Sequence, residues 1–295
     1  MFFVLLVAFV LTQAPPIIAG AILRPARTIA RNPPPGGCEN RDLQGAGITL
    51  RAWHCEPAAA ARGTVVILHG VADNRGSTAN VIPRFRQKGL AVVAFDSRAH
   101  GESGGEFCTY GFHEKNDLRR VIATLSPGPV LLFGTSLGGA VALQAAAGEP
   151  RVTGIVAAEV FSDLPAVVRD RTPRFVPGFL VRQAFRVAAE RGDFDVEQVS
   201  PLRAAASIHV PVLLIHGAED RDTPPAHAQE IFDALAGEKR LILVEGAGHN
   251  ASLRGPKVWS EIDEWVETQL PKSPTPNSQK APELKFGPTY EANTH

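Results

Sequence analysis

Ser136 sits at the centre of Gly134-Thr135-Ser136-Leu137-Gly138, a G-x-S-x-G run. Downstream, Asp220 and His249 complete a set of residue types suited to acyl transfer. A serine hydroxyl attacks a carbonyl only when a base takes its proton, and neutral histidine suits that task near pH 7. The histidine needs an acceptor on its far nitrogen to fix its tautomer and to stabilise the imidazolium, which a carboxylate supplies. Ser136, Asp220 and His249 follow the chain order found where a nucleophilic serine caps a strand-to-helix turn. Rivals exist for both partners. Glu219 and Asp222 lie beside Asp220, but Asp220 falls on the short loop just past a strand end. His100 and His113 are alternative bases, yet both precede the serine, while His69 and His216 end strands and read as loop-packing residues.

The serine needs a strand before it and a helix after it. Residues 130–133 (V-L-L-F) read as a buried strand, and 140–147, rich in alanine and free of proline, read as a helix. Gly134 and Gly138 lack the side chains that would clash in so tight a turn. Strand-like runs at 64–68, 90–95, 152–158, 210–215 and 240–244 alternate with helical stretches at 77–88, 114–125, 224–235 and 256–270. That alternation predicts an α/β fold: a mostly parallel central sheet with helices on both faces. Its chemistry collects in loops at the carboxyl ends of the strands. Residues 161–207 break the alternation and predict a small helical insert that caps the pocket. There Phe175, Phe179, Phe185 and Val187 fall at helical spacing, and Phe175 and Phe179 are expected to set acyl-chain preference.

The 295 residues suffice for one large α/β domain, and Lys+Arg and Asp+Glu balance at 30 each, with no basic stripe to suggest a nucleic-acid partner. No Walker loop, zincin helix or C-x-x-C pair occurs, so no metal or organic cofactor is expected. Residues 1–31 hold an apolar stretch followed by Arg24, Arg27 and Arg31. They predict a membrane anchor or, with Ala19-Gly20-Ala21 as a cleavage site, a signal segment. Residues 32–37 (N-P-P-P-G-G) read as a stiff linker, 38–270 as the domain and 271–295 as a disordered tail. The arginines favour a cytoplasmic domain. Against this, Cys38 and Cys55 fall opposite each other across a turn at Ala46-Gly47. A bond between them, with Cys108 left free, would place the domain in an oxidising, extracytoplasmic compartment.

Five ordered motifs carry a resemblance: H-G-V-A-D-N from His69, D-S-R-A-H-G-E-S-G-G from Asp96, G-T-S-L-G-G from Gly134, H-G-A-E-D from His216 and G-A-G-H-N from Gly246. Over roughly residues 50–270 the chain resembles the α/β-hydrolase superfamily, and more narrowly its serine-aminopeptidase-S33-type hydrolases, which often carry an N-terminal membrane segment. The resemblance implies Ser136 as nucleophile, His249 as base and Asp220 as its orienter. It implies the backbone N–H groups of Val71 and Leu137 as the oxyanion hole. It also implies hydrolysis of the carboxylic ester of a small acyl substrate through an acyl-enzyme. Cleavage of peptides is the alternative, with Glu159, Asp163 and Asp170 as carboxylates near the insert that could take a substrate amine. A non-catalytic binding protein on the same fold is a third reading. Ala99 departs from the glycine usual in such relatives.

Overall fold

The computed structural model describes residues 2–270, with side chains from Thr12 onward; the expected tail, 271–295, lies outside the described residues. β1 (Cys38–Gln44) and β2 (Thr49–Cys55) form the predicted hairpin. The remaining strands are β3 (Gly63–Leu68), β4 (Leu90–Phe95), β5 (Val130–Thr135), β6 (Val152–Ala158), β7 (Val212–Gly217) and β8 (Lys239–Val244). The sheet runs in the order β1-β2-β4-β3-β5-β6-β7-β8, antiparallel through β1, β2 and β4 and parallel from β4 to β8. Every residue of β3, β4 and β7 is buried, which their β-branched and leucine-rich runs anticipate for strands covered on both sides.

Strand alternation splits the core in two. Val66, Leu68 and Leu132 face α3 (Glu114–Thr124) and α4 (Leu137–Ala146). Val65, Ile67 and Phe133 face α2 (Ile82–Gln87) and α9 (Pro256–Thr268), where Ile262 and Trp265 are buried. The helix expected over 77–88 is shorter than predicted. Residues Arg75–Thr78 make a single 3-10 turn, and α2 begins only at Ile82. Pro83, which cannot donate from its nitrogen, is tolerated in a first turn but not in a helix interior. Because β4 and β5 leave β3 on opposite sides, the loops after β3 and β5 diverge and open a crevice between them.

Between β6 and β7 come α5 (Leu164–Arg171), α6 (Gly178–Gly192) and α7 (Pro201–Ala205), without a strand; α8 (Ala226–Ala234) follows β7. The N-terminal segment is part of this architecture. α1 (Phe2–Leu23) packs against α6, with Ala19 and Leu23 fully buried. Tyr110 Oη donates to Ile22 O at 3.0 Å and the Cys108 N–H to Leu23 O at 2.8 Å. Further on, Arg24 pairs with Glu106, and Arg27 donates to the carbonyls of Ala99 and Gly105. Residues 19–27 are thus tied to the domain before the Pro-Gly stretch begins. Among the described residues no helix is long and apolar enough to cross a membrane, and the side chains of 2–11 lie outside them. Cys38 and Cys55 are directly paired across the hairpin and joined as a disulfide, with Cα atoms 4.1 Å apart. Cys108 is buried as a free thiol, and burial pushes its ionisation well above the ordinary range.

Candidate active site

β5 delivers Ser136 to the crevice. The serine adopts φ 49°, ψ −114°, in the region side chains avoid, between the last strand residue and the first helical one. Such backbone costs about 1–3 kcal/mol and persists only where the surroundings enforce it. Two glycines make the enforcement possible. A Cβ on Gly134 would lie 2.4 Å from the Gly138 carbonyl, and one on Gly138 would lie 2.2 Å from Leu68 O. The turn is therefore clamped against β3 as well as closed on itself.

Ser136 and His249 line one cavity of about 740 Å³, together with Val71. Asp220, at the end of β7, is 3% exposed. Its Oδ2 lies 2.7 Å from His249 Nδ1, and its Oδ1 accepts the N–H groups of Asp222 and Thr223 at 3.0 and 2.9 Å. With Nδ1 donating to Asp220, the imidazole carries its proton there and leaves Nε2 as a lone pair. Among the described residues Ser136 Oγ has no hydrogen-bond partner, and Ser136 lines the cavity. Contacts between nucleophile and base are often loose before substrate arrives. The Leu137 N–H opens α4, where a helix has no internal acceptor for it.

The rivals are engaged elsewhere. His100 is buried edge-on against His69, and its Nδ1 donates to Arg98 O at 2.8 Å. Burial and the neighbouring His69 hold its pKa down at about 4. His69 donates to Gly70 O and accepts the Ser97 N–H, and burial lowers its pKa as well. His113 stands at the start of α3 against Gly192 O. His216 donates to Thr223 O at 2.7 Å and is kept neutral chiefly by burial. Glu219 ends in the β7 loop outside the cavity lining, whereas Asp222 lines it.

The cavity wall differs from the expected apolar lid. The cap contributes Asp170 and Arg171, and Asp73, Arg221 and Asp222 face them. Phe175 is 85% exposed and Phe179 39% exposed, and neither borders the cavity, so the expectation that they set acyl preference is corrected. Phe175 precedes α6, and the face that α6 buries is formed by Leu180, Ala184 and Ala188 instead. A smaller cavity of about 250 Å³ adjoins the first through Asp73, Thr135 and Asn250, and is walled by Val81, Phe133, Leu253 and Trp259.

Two further groups near the site carried no motif. Ser162 Oγ lies 2.8 Å from His227 Nδ1, and His227 Nε2 lies 3.1 Å from Asp170 Oδ2, so Asp170 is held from behind. Glu159 lines the smaller adjoining cavity rather than that of Ser136, and its carboxylate takes backbone N–H groups of 250–252. Asp163 caps α5 by accepting the Ala166 N–H.

The fold has counterparts among known proteins. Residues 59–184 match the family described as Serine aminopeptidase, S33, and residues 192–278 match the TAP-like protein family. The chain is 29% identical over 216 residues to uncharacterized protein YqkD of Bacillus subtilis, covering 70% of each. It is 27% identical to a monoacylglycerol lipase of Mycolicibacterium smegmatis, covering 77% of this chain and 95% of that one. In fold it is similar to the esterase Pf2001 of Pyrococcus furiosus, with a TM-score of 0.69 at 22% identity over 83% of this chain and 98% of that one. The order of the sheet, the strained serine turn and these matches together define a hydrolase class. The chain has the α/β-hydrolase fold.

Proposed function

We propose that this protein is a serine hydrolase that cleaves carboxylic esters. The observation that carries the reading is the convergence of Ser136, at φ 49°, and the Asp220-bonded His249 on one cavity. Ser136 attacks the ester carbonyl while His249 Nε2 takes the hydroxyl proton. The N–H groups of Leu137 and Val71 take the oxyanion, each such donor being worth about 3 kcal/mol in enzymes of this kind. His249 then protonates the departing alcohol, and water releases the acid by the same steps in reverse.

The two cavities divide the substrate. The apolar walls at Phe133, Leu253 and Trp259 suit a short acyl chain, and the charged wall at Asp170, Arg171 and Arg221 suits a hydroxylated or charged alcohol. The same carboxylates favour one second reading, an aminoacyl substrate whose ammonium meets Asp170 or Asp222. A fluorophosphonate should label Ser136. Comparing p-nitrophenyl esters with aminoacyl p-nitroanilides then decides between the readings. Labelling of another serine, or none, would overturn both. The Cys38–Cys55 bond supports placing the domain in an oxidising compartment. Retention of the 1–31 segment at a membrane remains part of the same proposal.

A further inference from the structure

The loop that carries His249 is held by a carboxylate. Glu159 follows β6 and is 2% exposed. Its Oε2 accepts the Asn250 N–H at 2.7 Å, and its Oε1 accepts those of Ala251 and Ser252 at 3.1 and 3.0 Å. Successive donors directly after His249 thus converge on one buried anion, at a stretch where neither helix nor strand offers them an acceptor. Both ends of the contact adopt left-handed backbone, Glu159 at φ 57° and Asn250 at φ 62°. Residues with side chains keep such conformations only where something enforces them. Glu159 is itself fixed from the other side, its N–H donating to Ile215 O of β7 at 2.8 Å, one residue before His216. The anion therefore bridges β6, β7 and the His249 loop, while Asp220 holds the imidazole ring alone.

We propose that Glu159 is a positioning residue for catalysis, its three N–H contacts fixing the His249 loop so that the imidazole meets Ser136 in register. The proposal rests on the serine-hydrolase reading. Chemistry is sensitive to such placement, since a shift of about 1 Å can lower a rate about a hundred-fold.

Glu159→Gln keeps the shape and one acceptor oxygen but sets an NH₂ against the loop and removes the charge. The expected result is a kcat about ten- to a hundred-fold lower with KM nearly unchanged. Glu159→Asp, which returns the charge at a shorter reach, should recover part of the rate. Amide exchange gives a readout that needs no variant: the 250–252 amides of the wild-type protein should be protected, and in Glu159→Gln they should exchange faster while β5 stays protected. A folded Glu159→Gln protein with unchanged kcat, or with a loss carried by KM instead of kcat, overturns the proposal. So does rapid exchange of the 250–252 amides in the wild type, which decides the matter even if neither variant folds. Wild-type protein unlabelled at Ser136 by a fluorophosphonate would instead remove the hydrolase reading itself, and this proposal with it.

Discussion

Two serine–histidine–aspartate arrays border the same crevice, and they are built in opposite senses. In one, His249 Nδ1 is bonded to Asp220 at 2.7 Å, and Ser136, whose Oγ has no hydrogen-bond partner among the described residues, lines the cavity. In the other, Ser162 Oγ and Ser162 N–H both reach His227 Nδ1, at 2.8 and 3.2 Å, and Nε2 meets Asp170 at 3.1 Å. The tautomers follow. His227 must accept on Nδ1 and donate from Nε2, so both nitrogens are spent inside the protein. His249 donates from Nδ1 and keeps Nε2 in reserve. Ser162 is fully buried, on relaxed backbone, whereas Ser136 is held at a strained turn where a substrate can reach it. Under the proposed function, the more complete set of hydrogen bonds is the less reactive one. A site for acyl transfer leaves its hydroxyl and its base unsatisfied until substrate arrives, while a closed array immobilises a side chain, here Asp170 on the cap.

The sharpest way to break this comparison is to delete each serine in turn. Ser136→Ala should lower kcat at least about 10⁴-fold and abolish fluorophosphonate labelling, since members of such a unit are lost together. His249→Ala should cost about as much, and the double variant little more. Ser162→Ala and His227→Ala should keep kcat within a few-fold while destabilising the fold by about 1–3 kcal/mol, the cost of leaving buried polar partners unmatched. Esterase kinetics beside urea unfolding of the same proteins checks both halves. Near-normal activity in Ser136→Ala, or its loss in a folded Ser162→Ala, would exchange the roles of the two arrays.

The first array was legible in the sequence and the second was not. Ser136 announces itself because a strand, a glycine-flanked turn and a helix are all local signals, and Asp220 and His249 follow further strand ends. The sheet is legible for the same reason, its central strands being short, unbroken apolar runs. His227 lies in a proline-led helix start with no motif, and its partners Ser162 and Asp170 are 65 and 57 residues away. Nothing local encodes that meeting. The docking of α1 was hidden likewise, because Ile22 and Leu23 are held through their carbonyls, which any residue offers. Glu159 gave one usable sign, a charged residue set directly at the end of a buried strand.

A perturbation remote from both arrays shows what loss of stability alone looks like. The Cys38–Cys55 bond closes a 17-residue separation in the edge hairpin, away from the cavity residues. Replacing both cysteines by serine should lower unfolding free energy by about 3 kcal/mol, mainly through the freed unfolded chain. The kcat of the folded variant should not move. Mass mapping of the unreduced protein should find the linked peptides, with Cys108 unpaired. A fall in kcat that matches the Ser162→Ala variant would mean that loss of stability, rather than loss of the closed array, explains both.

The smallest effect concerns other enclosed histidines, whose pKa burial lowers. His100 is fully buried, with Nε2 unpaired, and its pKa lies at about 4 in the folded protein. In the unfolded chain it returns to about 6.5. Between those values the unfolded state binds the extra proton, so stability rises with pH through this window. The contribution is complete above about pH 6.5 and is lost as pH falls toward 4, amounting to about 2 kcal/mol by pH 5. His69 and His216, also lowered by burial, add to the loss in the same direction. Urea midpoints measured at pH 7 and pH 5 should therefore differ, and His100→Asn should narrow the difference while lowering stability at pH 7. If His100→Asn leaves the pH dependence of stability unchanged, enclosure at that site does not hold the ring neutral, and the contrast between sealed and reactive histidines rests on geometry alone.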